Sequence, residues 1–281
     1  MATKDNFSLM IHGGAGALED LKFEASEAAF RESILGILEQ GRARLRRGDS
    51  ALDVVEFCVT LLEDEPLYNA GRGSVLNALG QVEMDAALME GAGLRAGGVT
   101  CVKGVKNPIA LARKVLDQGD HVLLAGEGAI EFARFAGVAF CPDDYFITPV
   151  RIEQLKEAQA AGRMTLDHER IKQKLGTVGA VARDLEGNLA AATSTGGLVN
   201  KRWGRVGDTP VVGAGVYADN ETCGVSATGY GEQFLRTVIA KTVSDFIYFK
   251  RLNAVGAAKA GIDYLVAKVN GDGGVIVIDN A

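Results

Sequence analysis

The chain has 281 residues, enough for one large domain or two small ones, and its 47% hydrophobic content can fill a sizeable core. A net charge of −6 with no basic block argues against nucleic acid as a partner, and no apolar run is long enough to span a bilayer. Cys58, Cys101, Cys141 and Cys223 form no Cys-x-x-Cys pair and read as free thiols; with no apolar signal-peptide core near Met1, the expected location is the cytoplasm.

Phe7-Ser8-Leu9-Met10-Ile11 reads as a short strand entering the glycine-rich turn His12-Gly13-Gly14-Ala15-Gly16. Such a turn can cradle an anion, but the Gly-Lys-Ser or Gly-Lys-Thr ending of a phosphate loop is missing, so packing against neighbouring backbone is the stronger reading. Residues 26–46 carry Ile34, Ile37, Leu38 and Leu45 at helical spacing, and Gly48 ends that helix. Ser50 caps the next helix, with Asp53 three residues on and a buried stripe of Ala51, Val54, Val55, Cys58 and Leu62. Pro66 breaks it, and a loop follows in which Asn69 sits among glycines, ordinarily a turn-forming role. Residues 82–91 read as a strand, although Asp85 within it needs a partner to be tolerated there. Residues 96–102 read as a second, buried strand. Asn107-Pro108 caps and opens a helix through Ala112, Val115 and Leu116; 121–126 read as a buried strand and 127–137 as a helix.

From 143 to 175 the composition turns polar. Residues 150–160 suit a helix, but the remainder lacks a core pattern, and a structureless segment of that length asks for a functional explanation. It ends at Gly176-Thr177-Val178-Gly179-Ala180-Val181, the first strand of a hairpin whose turn is Asp184-Leu185-Glu186-Gly187-Asn188. The next loop holds Arg205 and Asp208 between glycines. They read either as a surface ion pair or as a clamp for a zwitterion, Arg205 taking a carboxylate and Asp208 an ammonium. Strands are expected at 211–216 and 224–227. Thr228-Gly229-Tyr230-Gly231-Glu232 then opens a helix through Phe234, Leu235, Val238 and Ile239, a turn whose free N–H groups can face an anion. A helix at 254–269 and a buried strand at 274–279 complete the chain.

The histidines, His12, His121 and His168, are too scattered for a zinc site, and no nucleophile-elbow sequence supports a serine triad. Seven short motifs instead run through the chain in order: His12-Gly-Gly-Ala-Gly16, Asn69-Ala-Gly-Arg-Gly73, Met84-Asp-Ala86, Gly176-Thr-Val-Gly-Ala-Val181, Thr193-Ser-Thr-Gly-Gly197, Gly204-Arg-Val-Gly-Asp208 and Thr228-Gly-Tyr-Gly-Glu232. Each is weak alone. Together the chain resembles the plant-type L-asparaginase / isoaspartyl aminopeptidase family of N-terminal-nucleophile hydrolases.

The resemblance implies an α+β fold, a four-layer αββα sandwich in one domain of residues 1–281. It implies a precursor that cleaves itself between Gly176 and Thr177 into chains 1–176 and 177–281, the polar segment becoming the tail of the first. Thr177 is then the nucleophile, with Thr195 bonded to it, Thr228 and the Gly229 N–H as oxyanion hole, and Asn69 nearby. Arg205 would hold the substrate α-carboxylate, and Asp208 with the Gly231 carbonyl its α-ammonium. The chemistry suits the residues: a threonine hydroxyl needs a base, and a freed α-amine of ordinary pKa about 7.7–8.0 can be that base near neutral pH. No cofactor is implied beyond a structural sodium on the backbone carbonyls of Leu62, Glu63, Glu65, Tyr68, Ala70 and Arg72. The implied substrates are L-asparagine and β-aspartyl dipeptides, and the implied assembly a dimer of αβ units.

Family members usually run on past the last strand found here. A chain ending at Ala281 is therefore expected to leave a sheet edge open. That motivates an alternative, a short relative that is non-catalytic or deficient in processing; a glycosylasparaginase is a second alternative.

Overall fold

The computed structural model describes residues 6–15, 27–162 and 176–281. The elements run β1 (Ser8–His12), α1 (Glu27–Arg46), α2 (Ala51–Asp64), a 3-10 turn (Gly71–Gly73), β2 (Met84–Glu90), β3 (Ala96–Val102), α3 (Pro108–Gln118), β4 (Leu123–Ala125), α4 (Gly126–Phe135), α5 (Asp143–Phe146) and α6 (Pro149–Ala160). After the segment 163–175, which lies outside the described residues, come β5 (Val178–Arg183), β6 (Leu189–Thr195), β7 (Val216–Ala218), β8 (Cys223–Gly229), α7 (Gly231–Thr237), α8 (Ile239–Lys250), α9 (Ala254–Val269) and β9 (Gly273–Asp279).

Two stacked sheets form the middle of the molecule. One has the order β1-β5-β6-β2-β3-β4, antiparallel except for the β3–β4 pair; the other has the antiparallel order β7-β8-β9. Helices α1, α2 and α3 cover the outer face of the larger sheet, and α8 and α9 cover the smaller one, giving α, β, β and α layers as the family resemblance implies. The period of two along each strand sorts residues between layers. In β5, Val178, Ala180 and Ala182 pack toward the helices, whereas Val181 faces the second sheet with Ala191, Val225 and Val277. Alanine and glycine recur in β3, β5, β6 and β8, where both faces are covered closely. Among the described residues, no helix is long and apolar enough to cross a membrane.

Ser50 caps α2 as its spacing predicts: the Asp53 N–H donates to Ser50 Oγ at 3.2 Å, and Ser50 Oγ donates to Asp53 Oδ2 at 2.8 Å. The predicted stripe of α2 is entirely buried. Asn107 precedes α3 without capping it; its side chain donates instead to Asp64 Oδ1 at 3.1 Å. The free N–H of Ile109 in the first turn of α3 goes to Glu63 Oε1 at 3.0 Å, so the end of α2 caps α3.

Four expectations change. Residues 121–126 are not a buried strand: β4 is three residues on the sheet edge, and Val122 and Leu123 are exposed. Residues 211–215 form a turn through Gly213 at φ 91°, and the strand begins only at Val216. The helix expected to run through Val238 breaks there, because Val238 lies at φ 48°, separating α7 from α8. The strand at 274–279 is only half-buried over most of its length, since β9 ends its sheet. In the polar stretch after 143, α5 adds a helical turn that no periodicity announces.

Candidate active site

Three chain segments converge at the open end of the sheets. Thr177 stands at the head of β5, Thr195 at the end of β6, and Thr228 with Gly229 at the end of β8. Around them lies a pocket that opens to solvent. Every residue given a catalytic, cleavage or substrate role by the resemblance lines it: Asn69, Gly176, Thr177, Thr195, Arg205, Asp208, Thr228, Gly229 and Gly231. Ala15, Gly197, Leu198, Gly207 and Thr209 complete the wall.

Thr177 Oγ1 donates to Thr195 Oγ1 at 3.1 Å, and Thr195 Oγ1 also accepts from the Gly197 N–H at 3.0 Å. Asn69 braces this wall: its Nδ2 donates to the Gly197 carbonyl at 2.8 Å and its Oδ1 accepts from the Val75 N–H at 3.0 Å. Thr228 Oγ1 would stand 3.1 Å from a Cβ placed on Gly176, so the hydroxyl overlooks the Gly176–Thr177 bond. Gly14, at φ 118°, packs directly on the Gly176 backbone, which gives the glycine-rich turn its packing role.

Arg205, half-buried, and Asp208, buried, both line the pocket and are not a surface ion pair. The Arg205 guanidinium donates through Nε and Nη2 to both oxygens of Glu232, each at 2.8 Å. This bidentate pair fixes the guanidinium plane and turns its remaining edge toward the pocket. Burial opposes ionisation of Glu232, but Arg205 holds its carboxyl below the usual range. Asp208 has the opposite environment. Burial pushes its carboxyl up to about 7 against the pull of its own backbone N–H and of Arg205, and its Oδ2 is buried without a hydrogen-bond partner. A carboxylate that lines a pocket with one oxygen unpaired is a group an ammonium ligand would satisfy. Gly231 permits this closeness: a Cβ there would fall 2.8 Å from Arg205 Nη2 and 2.9 Å from Asp208 Oδ1.

Several supporting residues were not legible as such in the sequence. Glu232 lies inside a motif, but its partner is 27 residues upstream. Asp85, odd in a strand, pairs in register with Thr195 and accepts from Thr100 Oγ1 at 2.6 Å and the Cys101 N–H at 2.8 Å. Lys201 is buried behind Gly197 and donates to the Glu83 carbonyl at 2.7 Å. Glu63 accepts from Ser194 Oγ at 2.6 Å on the helix-facing side of β6, where burial pushes its carboxyl up to about 8. Arg151 of α6 is fully buried and donates to the Gly73 carbonyl at 2.6 Å, tying the helix before the polar segment to the Asn69 loop.

Residues 62–73 curl over their own backbone. A Cβ on Gly71 would strike the Glu63 carbonyl, and one on Gly73 the Tyr68 and Pro66 carbonyls. Glu65 and Ala70 carbonyls accept from the Tyr68 and Gly73 N–H groups at 3.3 and 3.1 Å. Backbone carbonyls, the ligand type that a hard cation takes, crowd this turn.

A model of the asparaginase family matches residues 5–281 of this chain. The chain is 46% identical over 277 residues to the isoaspartyl peptidase of Salmonella typhimurium, covering 97% of this chain and 88% of that one. It is 44% identical over 290 residues to the plant-type L-asparaginase of Pyrococcus horikoshii, covering 98% and 90%. To the isoaspartyl peptidase/L-asparaginase of Bos taurus it is 42% identical over 275 residues, covering 97% and 87%. A family model matching nearly the whole chain, with relatives 42–46% identical along 97–98% of it, means that the chain belongs to the asparaginase family.

Proposed function

We propose that this chain is a threonine-dependent amidohydrolase that hydrolyses L-asparagine to L-aspartate and ammonia and cleaves β-aspartyl dipeptides. The supporting observation is the Thr177–Thr195 hydroxyl pair at 3.1 Å in a pocket that Arg205 and Asp208 also line. An L-aspartyl unit carries an α-carboxylate, an α-ammonium and a side-chain carbonyl. Arg205 takes the first, Asp208 and the Gly231 carbonyl the second, and Thr177 Oγ1 attacks the third. The oxyanion formed is met by Thr228 and the Gly229 N–H; loss of one such donor ordinarily costs about 10²–10³ in rate. Expulsion of ammonia or an amino acid leaves a β-aspartyl ester on Thr177, and water releases aspartate.

The Thr177 amine serves as base in this scheme, so the Gly176–Thr177 bond is cut first, giving chains 1–176 and 177–281 within one folded unit. Two such αβ units form a dimer in this reading, and the free cysteines suit a reducing, cytoplasmic setting. The test pairs a denaturing gel of purified protein with assays of ammonia from asparagine and aspartate from β-Asp-Leu. Two fragments and both products are expected. A sample that cuts itself yet releases neither product would sink the substrate assignment.

A sodium ion on the carbonyls of Leu62, Glu63, Glu65, Tyr68, Ala70 and Arg72 would hold the loop that carries Asn69. Exchanging sodium for choline at constant ionic strength is expected to lower the melting temperature by several degrees and to reduce turnover with it. Identical melting curves in the two salts would remove the ion from the scheme.

A further inference from the structure

The residue that follows the nucleophile by two, Gly179, lies in a row across the larger sheet. It pairs in register with His12 of β1 on one side and with Thr193 of β6 on the other. All three face the second sheet, and Ser226 of β8 reaches into the space that a Gly179 side chain would fill: a Cβ there would collide with Ser226 Oγ. In that slot Ser226 Oγ is 2.9 Å from His12 Nε2 and 2.8 Å from Thr193 Oγ1. Ser226 and Thr193 are fully buried; part of His12 reaches the surface, but its Nδ1 is sealed from water. Because side chains two apart in a strand share a face, Thr177 stands directly beside this slot.

We propose that His12, Ser226 and Thr193 form a hydrogen-bonded brace that sets the position of Thr177, with Gly179 present in the motif to admit it. His12 is thus a positioning residue for the reaction proposed above, on which this inference rests. A proton-transfer role is not needed. Burial holds the imidazole down at about 4, with the nearby Thr177 backbone pulling the other way, so the ring is neutral at working pH and acts through its fixed hydrogen bond to Ser226. The brace joins three strands and both sheets at the point where the nucleophile begins. Errors of about 1 Å in such a position typically cost on the order of a hundredfold in rate.

The experiment compares His12→Phe, His12→Gln and Ser226→Ala with wild type, reading self-cleavage by gel time course and kcat and KM of the cleaved fraction for asparagine. Phenylalanine keeps the shape without hydrogen bonds; glutamine keeps a donor. We expect His12→Phe and Ser226→Ala to slow cleavage and lower kcat by roughly tenfold or more with KM within about twofold, and His12→Gln to recover most of the loss. Normal cleavage and kcat in Ser226→Ala would overturn the proposal, as would a loss that falls on KM or one that glutamine does not relieve. Ser226→Ala removes one oxygen, and it carries the test if His12→Phe does not fold. Wild-type protein that cuts itself but does not hydrolyse asparagine would fail the parent reading alone, since the cleavage rates still report on the brace.

Discussion

Thr177→Ala is expected to yield one uncut chain on a denaturing gel and to lower asparagine hydrolysis by roughly 10⁴-fold or more. Two separate needs meet at this residue. In the proposed scheme, cutting the precursor requires Thr177 Oγ1 to attack the Gly176 carbonyl carbon; the C–N bond breaks, the amine takes a proton, and water then hydrolyses the ester formed. Turnover requires the same oxygen again, now with the freed amine as base. Alanine removes the oxygen and so blocks both steps, while leaving β5 paired with β1 and β6. The variant should therefore melt cooperatively, which separates loss of chemistry from loss of fold. Thr177→Ser keeps the hydroxyl and is expected to cut, more slowly. Fragments appearing in Thr177→Ala at the wild-type rate would mean that another group performs the cleavage.

Asp208→Asn is expected to raise KM for asparagine at least about a hundredfold, and also to make the free protein more stable at pH 8. The two effects share one cause. Burial lifts the Asp208 carboxyl from the ordinary 3.8 to about 7. The folded state then holds this proton more tightly than the unfolded chain does. That contribution to stability is fully present below pH 4 and is lost as pH rises toward 7; above that, an ionised carboxylate stays buried with one oxygen unpaired. Asparagine at 208 avoids the charge, so its melting temperature should exceed that of wild type at pH 8 and match it near pH 4. The gain is on the order of 2–4 kcal/mol. Substrate binding needs the ionised form, so wild-type KM should climb as pH falls below about 7. Thermal melts and KM measured across pH 4–9 check both halves; a variant less stable than wild type at pH 8 would contradict the buried-charge account.

Much of the outer helical layer was readable from local signals. Ser50, Asp53 and the stripe through Leu62 sit within a few turns of one another, and the bounds of α9 coincide with its periodicity. The motifs also led to the residues that line the pocket. What stayed hidden depends on distance in sequence or on position within a sheet. The apolar run at 121–126 states that a strand is favourable, not whether it lies at an edge, and β4 lies at one. Nothing around Val238 distinguishes it from its helical neighbours, yet it takes a left-handed conformation. Glu232 reads as a first-turn acid until Arg205 is seen in its grip, and Glu63 as a helix-end charge until Ser194 and Ile109 are found on its oxygen. Such pairings are made by the fold, so no window along the chain contains them.

The strand order has one more consequence. Strands β5 and β6 follow Gly176, whereas their outer neighbours β1 and β2 precede it. Once cut, the two polypeptides are interleaved like fingers of clasped hands, each holding the other through sheet hydrogen bonds on two sides. They cannot drift apart on dilution without unfolding. On the proposed scheme the assembly is made once, as a single chain, and after cutting it would have no equally direct way back: refolding from denaturant would become an encounter between two molecules. Cutting at Gly176–Thr177, as proposed, would thus leave a protein whose lifetime is set by its rate of unfolding.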